Sequence, residues 1–163
     1  MASLQTLLHV VGIGIGATIV MDLWLAGLQR FGAATLNFDL VGRWVGHLSR
    51  GQLLHQSIRD SSRIPAERAW GWLTHYTVGI AFAGLAVAVL GRDWMQNPSL
   101  WTALAVGMAT VVAPLFIMQP AMGSGFASAK TPTPLKNCLR SLANHAVFGI
   151  GLFVSALLLA AAW

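Results

Sequence analysis

Four long apolar stretches constrain this chain more than any other feature: about Leu4 to Leu28, Ala69 to Leu90, Leu100 to Ala121 and Leu139 to Ala162. Crossing a hydrocarbon core about 30 Å thick takes about 20 helical residues, and each stretch is that long. None alternates as a barrel strand does, and in lipid a helix satisfies every backbone group within itself. The expectation is an all-α integral membrane four-helix bundle, one transmembrane domain over residues 1–163. Composition supports this. Of the chain, 56% is hydrophobic and only 9% charged, where a soluble domain carries about 25% charged residues. A soluble enzyme and a disordered tail are excluded, and so is a secreted disulfide scaffold, because Cys138 is the sole cysteine. Met1 to Gln5 has no positive charge and Asp22 falls where a cleavage site should follow, so the first span is expected to be retained rather than cleaved.

The few charges orient the spans. Arg30, Arg43, Arg50, Arg59, Arg63 and Arg68 lie between spans one and two, and Lys130, Lys136 and Arg140 between spans three and four. Only Arg92 lies on the other side, so the positive-inside rule makes the basic face cytoplasmic and puts both termini outside. Trp24, Trp44, Trp70 and Trp72 mark the inner boundary, and Trp94, Trp101 and Trp163 the outer one, as aromatic belts do. The net charge of +5 is therefore a topology signal, and nucleic acid is not an expected partner. The bilayer is the expected partner, and a homo-oligomer is open.

The connection over residues 29–68 is the long one. Within it Val41, Trp44, Val45 and Leu48 follow the i, i+3, i+4, i+7 spacing of an amphipathic helix over about residues 38–50. Asn37 or Asp39 is placed to cap its start. Arg43, His47 and Arg50 take the opposite face, and with Trp44 they suggest a helix lying at the membrane interface, where anionic lipids attract arginine. His47 and His55 are expected to be solvated. The turn over residues 91–98 places Pro98 near the start of the third span, and Pro114 and Pro120 should bend that span.

The two hairpins resemble each other. Span two contains His75-Tyr76-Thr77-Val78-Gly79-Ile80 and span four His145-Ala146-Val147-Phe148-Gly149-Ile150, both His-x-x-x-Gly-Ile. Met21-Asp22 in span one has a counterpart in Met118-Gln119 of span three. A parallel repeat of this kind has its pseudo-two-fold axis along the membrane normal. Asp22, His75 and His145 each lie about six residues inside the cytoplasmic end of a span, roughly 9 Å deep at 1.5 Å per residue, with Gln119 somewhat shallower. Ionisable groups at such depth are costly and usually face the bundle interior or a wet cavity.

Such a cluster suggests a ligand-binding set of Asp22, His75, Gln119, His145 and the neighbouring Asn144. Two imidazoles facing each other across a bundle could ligate a haem iron. With Met118 they could hold a soft or borderline metal ion, and with Asp22 they could serve a proton-coupled substrate site. Haem and metal are both open as cofactors, and neither is required. Beside these stands a packing role for each residue: a hydrogen-bonded histidine, an Asp22 that fixes helix register, methionines that fill space. The competing whole-protein reading is a structural or regulatory membrane subunit without a ligand site. His9 reads as structural and Cys138 as an unpaired thiol. Gly12, Gly14 and Gly16 form a small-residue face suited to packing within the bundle or to dimer formation.

No catalytic motif is present: no Gly-x-Ser-x-Gly, no His-Glu-x-x-His, no phosphate loop. The Gly12-x-Gly14-x-Gly16 run follows no strand, and Ser141 is the only serine near the polar layer. An enzyme is not the expectation. The stretch from Leu36 to His47 (Leu-Asn-Phe-Asp-Leu-Val-Gly-Arg-Trp-Val-Gly-His), together with Met118-Gln-Pro-Ala-Met-Gly123, resembles a domain-of-unknown-function family of small bacterial inner-membrane proteins. The resemblance covers most of the chain and implies four helices in a bacterial cytoplasmic membrane. It implies no activity and assigns no functional residue.

Overall fold

The structure, a computed structural model, describes residues 4–162. Trp163, assigned above to the outer aromatic belt, lies outside them. The apolar stretches form helices α1 (Leu4–Arg30), α3 (Glu67–Leu90) and α6 (Pro134–Ala162), and the connection after α1 carries α2 (Phe38–Leu48). Asn37 caps α2, its side-chain oxygen accepting from the Asp39 N–H at 2.9 Å. Helix α6 begins five residues earlier than its apolar stretch. Pro134 fits a first helical turn, where its missing N–H costs nothing, and the polar turn around Lys136 and Asn137 is invisible to a hydropathy scan. Among the described residues there is no strand.

The third stretch is not one α-helix. It comprises α4 (Leu100–Ala109), a π-helical segment (Ala113–Met118) and the short α5 (Gln119–Ala121). Pro114 and Pro120 cannot donate backbone bonds, and the Gln119 N–H reaches back to the Pro114 carbonyl, the i→i−5 bond of a π turn. The bend expected from the prolines is realised as this change of helical register. With the third stretch counted as one helical run over Leu100–Ala121, four helices are long and apolar enough to cross a membrane. They expose large side chains such as Leu23 and Val89 (both 69%) and Trp101 (79%). Exposed apolar side chains of that size are compatible with a lipid surround.

The chain divides into two compact units. The first holds α1, α4, Tyr76–Leu90 of α3 and α6 from Ala143 onward. Its core is built from Ile13, Ala17, Ala83, Ala86, Phe148, Leu152 and Ala156. Backbones come close at glycines. A Cβ on Gly14 would lie 2.5 Å from the Ile80 Cα of α3, and one on Gly107 of α4 would lie 2.6 Å from the Gly149 Cα of α6. Gly16 meets Ser155 and Gly12 meets Leu159, so the small-residue face of α1 is spent inside the unit. Gly79 and Gly149, the glycines of the two His-x-x-x-Gly-Ile copies, do the same work. Each is the point at which its helix meets its hairpin partner, Gly79 against Thr18 of α1 and Gly149 against Ala103 and Leu104 of α4. Trp94 departs from expectation. It is 6% exposed and donates to the Thr102 hydroxyl at 3.0 Å, so it is a core residue, not an outer anchor.

The second unit spans Thr35–His75 and Val111–Leu142. In it α2 lies against the start of α3, with Gly42 facing the Glu67 carbonyl and Gly71 the Phe38 carbonyl. The segment after α2 is tied to the end of the third stretch: His55 N–H donates to the Ala121 carbonyl (2.9 Å) and Ile58 N–H to that of Met122 (3.1 Å). Gly123, at φ +95°, packs against the carbonyls of His55 and Gln56. A side chain there would collide with backbone and strain the left-handed conformation.

Candidate functional site

In the first unit, three pairs of polar groups link transmembrane helices. Asp22 of α1 accepts from the Tyr76 hydroxyl of α3 at 2.9 Å. Trp24 of α1 donates its indole N–H to Asn144 Oδ1 of α6 at 3.0 Å. His145 Nδ1 of α6 meets Thr110 Oγ1, at the end of α4, at 2.8 Å. The Thr110 hydroxyl spends its one proton on the Gly107 carbonyl (2.6 Å), so His145 donates from Nδ1. That tautomer leaves Nε2 with its lone pair, the atom available to a proton or ligand. Phe82 of α3 covers the imidazole, with ring centres 6.4 Å apart.

His75 and Gln119 belong to the second unit. His75 sits among aromatic rings, 4.7 Å from Phe38 and 5.8 Å from Trp72 between centres. Gln119 accepts from the Ser128 hydroxyl at 2.8 Å, and Ser128 is 2% exposed. Met118 ends the π segment one residue before it. In the third stretch it is the Thr110 side chain, nine positions before Gln119, that bonds an imidazole. Among the described residues, no three His, Cys, Asp or Glu side chains gather into a metal-binding group.

The second unit also holds a polar centre that patterning did not reveal. Arg43 is 6% exposed, and all three of its guanidinium nitrogens are bonded. Nε and Nη2 donate to the two carboxylate oxygens of Glu67 (2.7 and 3.1 Å), and Nη1 reaches the carbonyls of Ile58, Arg59 and Ser61 (3.2, 2.9 and 3.3 Å). Glu67 also accepts from the Ile64 N–H at 2.9 Å. The hydrogen bond to Glu67, and its charge, raise the Arg43 pKa still further against the cost of burial. This arrangement closes the segment Ile58–Glu67 around one side chain.

His47, one helical turn on from Arg43, bonds to the Ser62 carbonyl through Nε2 (2.8 Å) and to Gln52 through Nδ1 (3.1 Å). Its ring lies 5.1 Å from that of His55. The two histidines expected to be solvated are buried instead, at 5% and 8% exposure. Neither ring nitrogen of His55 has a hydrogen-bond partner among the described residues. The apolar spacing of α2 located the helix but could not show that its opposite face meets carbonyls 15 to 18 residues further along the chain. Trp44 bonds the Leu53 carbonyl at 3.1 Å and Arg50 is exposed. One available signal was missed: Glu67 is the lone acid at the start of a span, and a buried arginine needs such a partner.

These features define a class: a small all-α protein with four membrane-length helices, polar helix-to-helix pairs and an arginine-centred connecting segment. Residues 11–159 match the family model described as Protein of unknown function (DUF2938), and the chain belongs to that family. Both motifs that carried the resemblance, Leu36–His47 and Met118–Gly123, lie in the second unit. No curated protein and no solved structure matches the chain.

Proposed function

We propose a multi-pass protein of the bacterial cytoplasmic membrane, with both termini outside, that binds or moves a small ligand or proton at polar groups within its spans. The carrying observation is Asp22. It is the one acidic residue inside an apolar span and away from its ends, and it is held by the Tyr76 hydroxyl at 2.9 Å. Carboxylates at such depth are expensive and are usually kept for transfer or binding. His145, with Nδ1 committed to Thr110, offers Nε2 as a second exchanging group. Asn144, bonded to Trp24, completes the proposed set within this unit, with Asp22 as proton acceptor or cation partner.

The test uses the full chain, purified in detergent and then reconstituted in liposomes loaded with a pH dye. Absorbance and metal analysis of the purified protein come first, and a Soret band or stoichiometric metal that is lost in His75→Ala or in His145→Ala would name that histidine as a ligand. Under an imposed potential, wild type should move protons and Asp22→Asn should not, with Tyr76→Phe intermediate. If wild type moves none and carries no metal or haem, while Asp22→Asn only lowers thermal stability, the reading fails. A packing role then remains, which the completed pairs Asp22–Tyr76 and Thr110–His145 also support.

A further inference from the structure

We infer that the second unit carries a binding surface for anionic phospholipid headgroups, formed by cations other than those on α2. Eight of the ten basic residues and three of the five acidic ones lie in this unit, so it holds the whole net charge of +5. The first unit is neutral, with Arg30 and Arg92 set against Asp22 and Asp93. Arg43 is lost to the surface because it is buried against Glu67. Of the seven cations that remain, Arg50 follows α2, and six flank two helix starts: Arg59, Arg63 and Arg68 before and in the first turn of α3, and Lys130, Lys136 and Arg140 around the first two turns of α6. All are exposed except Arg140, which is half-buried. None forms an ion pair among the described residues.

Two further observations make this a surface rather than scattered charge. The backbone bonds from His55 and Ile58 to Ala121 and Met122 join the two basic connections, with Arg59 directly after one junction. The Lys130 N–H is in turn bonded to the Ser124 carbonyl at 2.9 Å, which folds the second connection back beside it. Each cluster also adjoins the N-terminus of an apolar helix, whose partial positive charge favours an anion. Asp39 and Asp60 are the acids left to oppose it, since Glu67 is neutralised by Arg43. Cations at the mouths of membrane-length helices sit where phosphate headgroups are, whichever leaflet they face. Basic residues near an anionic leaflet contribute about 1 kcal/mol each, roughly fivefold in affinity.

The experiment titrates the full chain in neutral detergent with phosphatidylglycerol or phosphatidylcholine and follows retained lipid by native mass spectrometry and melting temperature by light scattering. Phosphatidylglycerol should bind at least about tenfold tighter, and the preference should shrink as salt screens it. Arg59→Gln/Arg63→Gln/Lys130→Gln/Lys136→Gln should weaken it by more than about a hundredfold, while Arg92→Gln leaves it unchanged. Should the fourfold variant misfold, Arg63→Gln/Lys136→Gln reads the same effect at about a twenty-fivefold loss. Equal retention of the two lipids, retention undiminished in the variants, or tighter binding of a nucleic acid than of phosphatidylglycerol would overturn the proposal. Asp22→Asn should keep full lipid preference, so this result and the proton-transfer test fail independently.

Discussion

A guanidinium buried to 6% exposure can lose no partner cheaply, and Arg43 satisfies one carboxylate and three carbonyls at once. Arg43→Ala should therefore cost about 3–5 kcal/mol, the usual penalty when one member of a buried pair is removed. Arg43→Lys should recover little of it, because an ammonium cannot reproduce the planar fork. Denaturant unfolding of the purified chain followed by circular dichroism measures both. His55 presents the opposite case. Its ring is buried with neither nitrogen bonded among the described residues, so it bears desolvation without a compensating bond. His55→Leu should leave stability unchanged or raise the melting temperature. A fall of several degrees would mean that the imidazole gains a bonding partner in solution. By sequence both residues read as polar surface, since residue type and spacing say nothing about which carbonyls a folded loop will present.

At the level of elements, the hairpins depend on glycines that let backbones touch. Gly107→Ala places a Cβ 2.6 Å from the Gly149 Cα and 2.7 Å from the His145 carbonyl, neither of which can swing aside. It should destabilise by about 1–3 kcal/mol, as overpacking does, and it should disturb the Thr110–His145 pair at the same time. Gly27→Ala, with nothing within 4 Å, should be neutral or stabilising by up to about 1 kcal/mol. Thermal melts of the two variants in the same detergent give the comparison. The recurring His-x-x-x-Gly-Ile was legible as a pattern, and each of its glycines sits at a helix contact, Gly79 on the Thr18 side chain and Gly149 on the Ala103–Leu104 backbone. The equivalence of Asp22 with Gln119 is not matched by a shared partner: the π segment between Thr110 and Gln119 changes the register, and proline spacing alone does not disclose how many residues such a segment takes.

For the whole molecule, the distribution of charge and the helix lengths lead to a topology that is directly measurable. Reporter fusions after Gln52 and after Thr131 should be active as cytoplasmic fluorescent proteins. A fusion after Asn97 should be active as a periplasmic phosphatase. The reverse pattern would invert the orientation and place the basic unit outside.

The number of long apolar helices, the position of α2 and the poverty of charge follow from the sequence by itself, because lipid leaves a chain few ways to satisfy its backbone and hydropathy is a local property. Family membership was also legible, through two motifs. Tertiary structure alone decided where the polar side chains spend their bonds: Asp22 on Tyr76, His145 on Thr110, Arg43 on Glu67 and three carbonyls. Those partners stand between 15 and 54 residues away along the chain, and only packing brings them within reach. The shortage of charge could be read at once, but the role of each remaining charge depended on what the fold placed beside it.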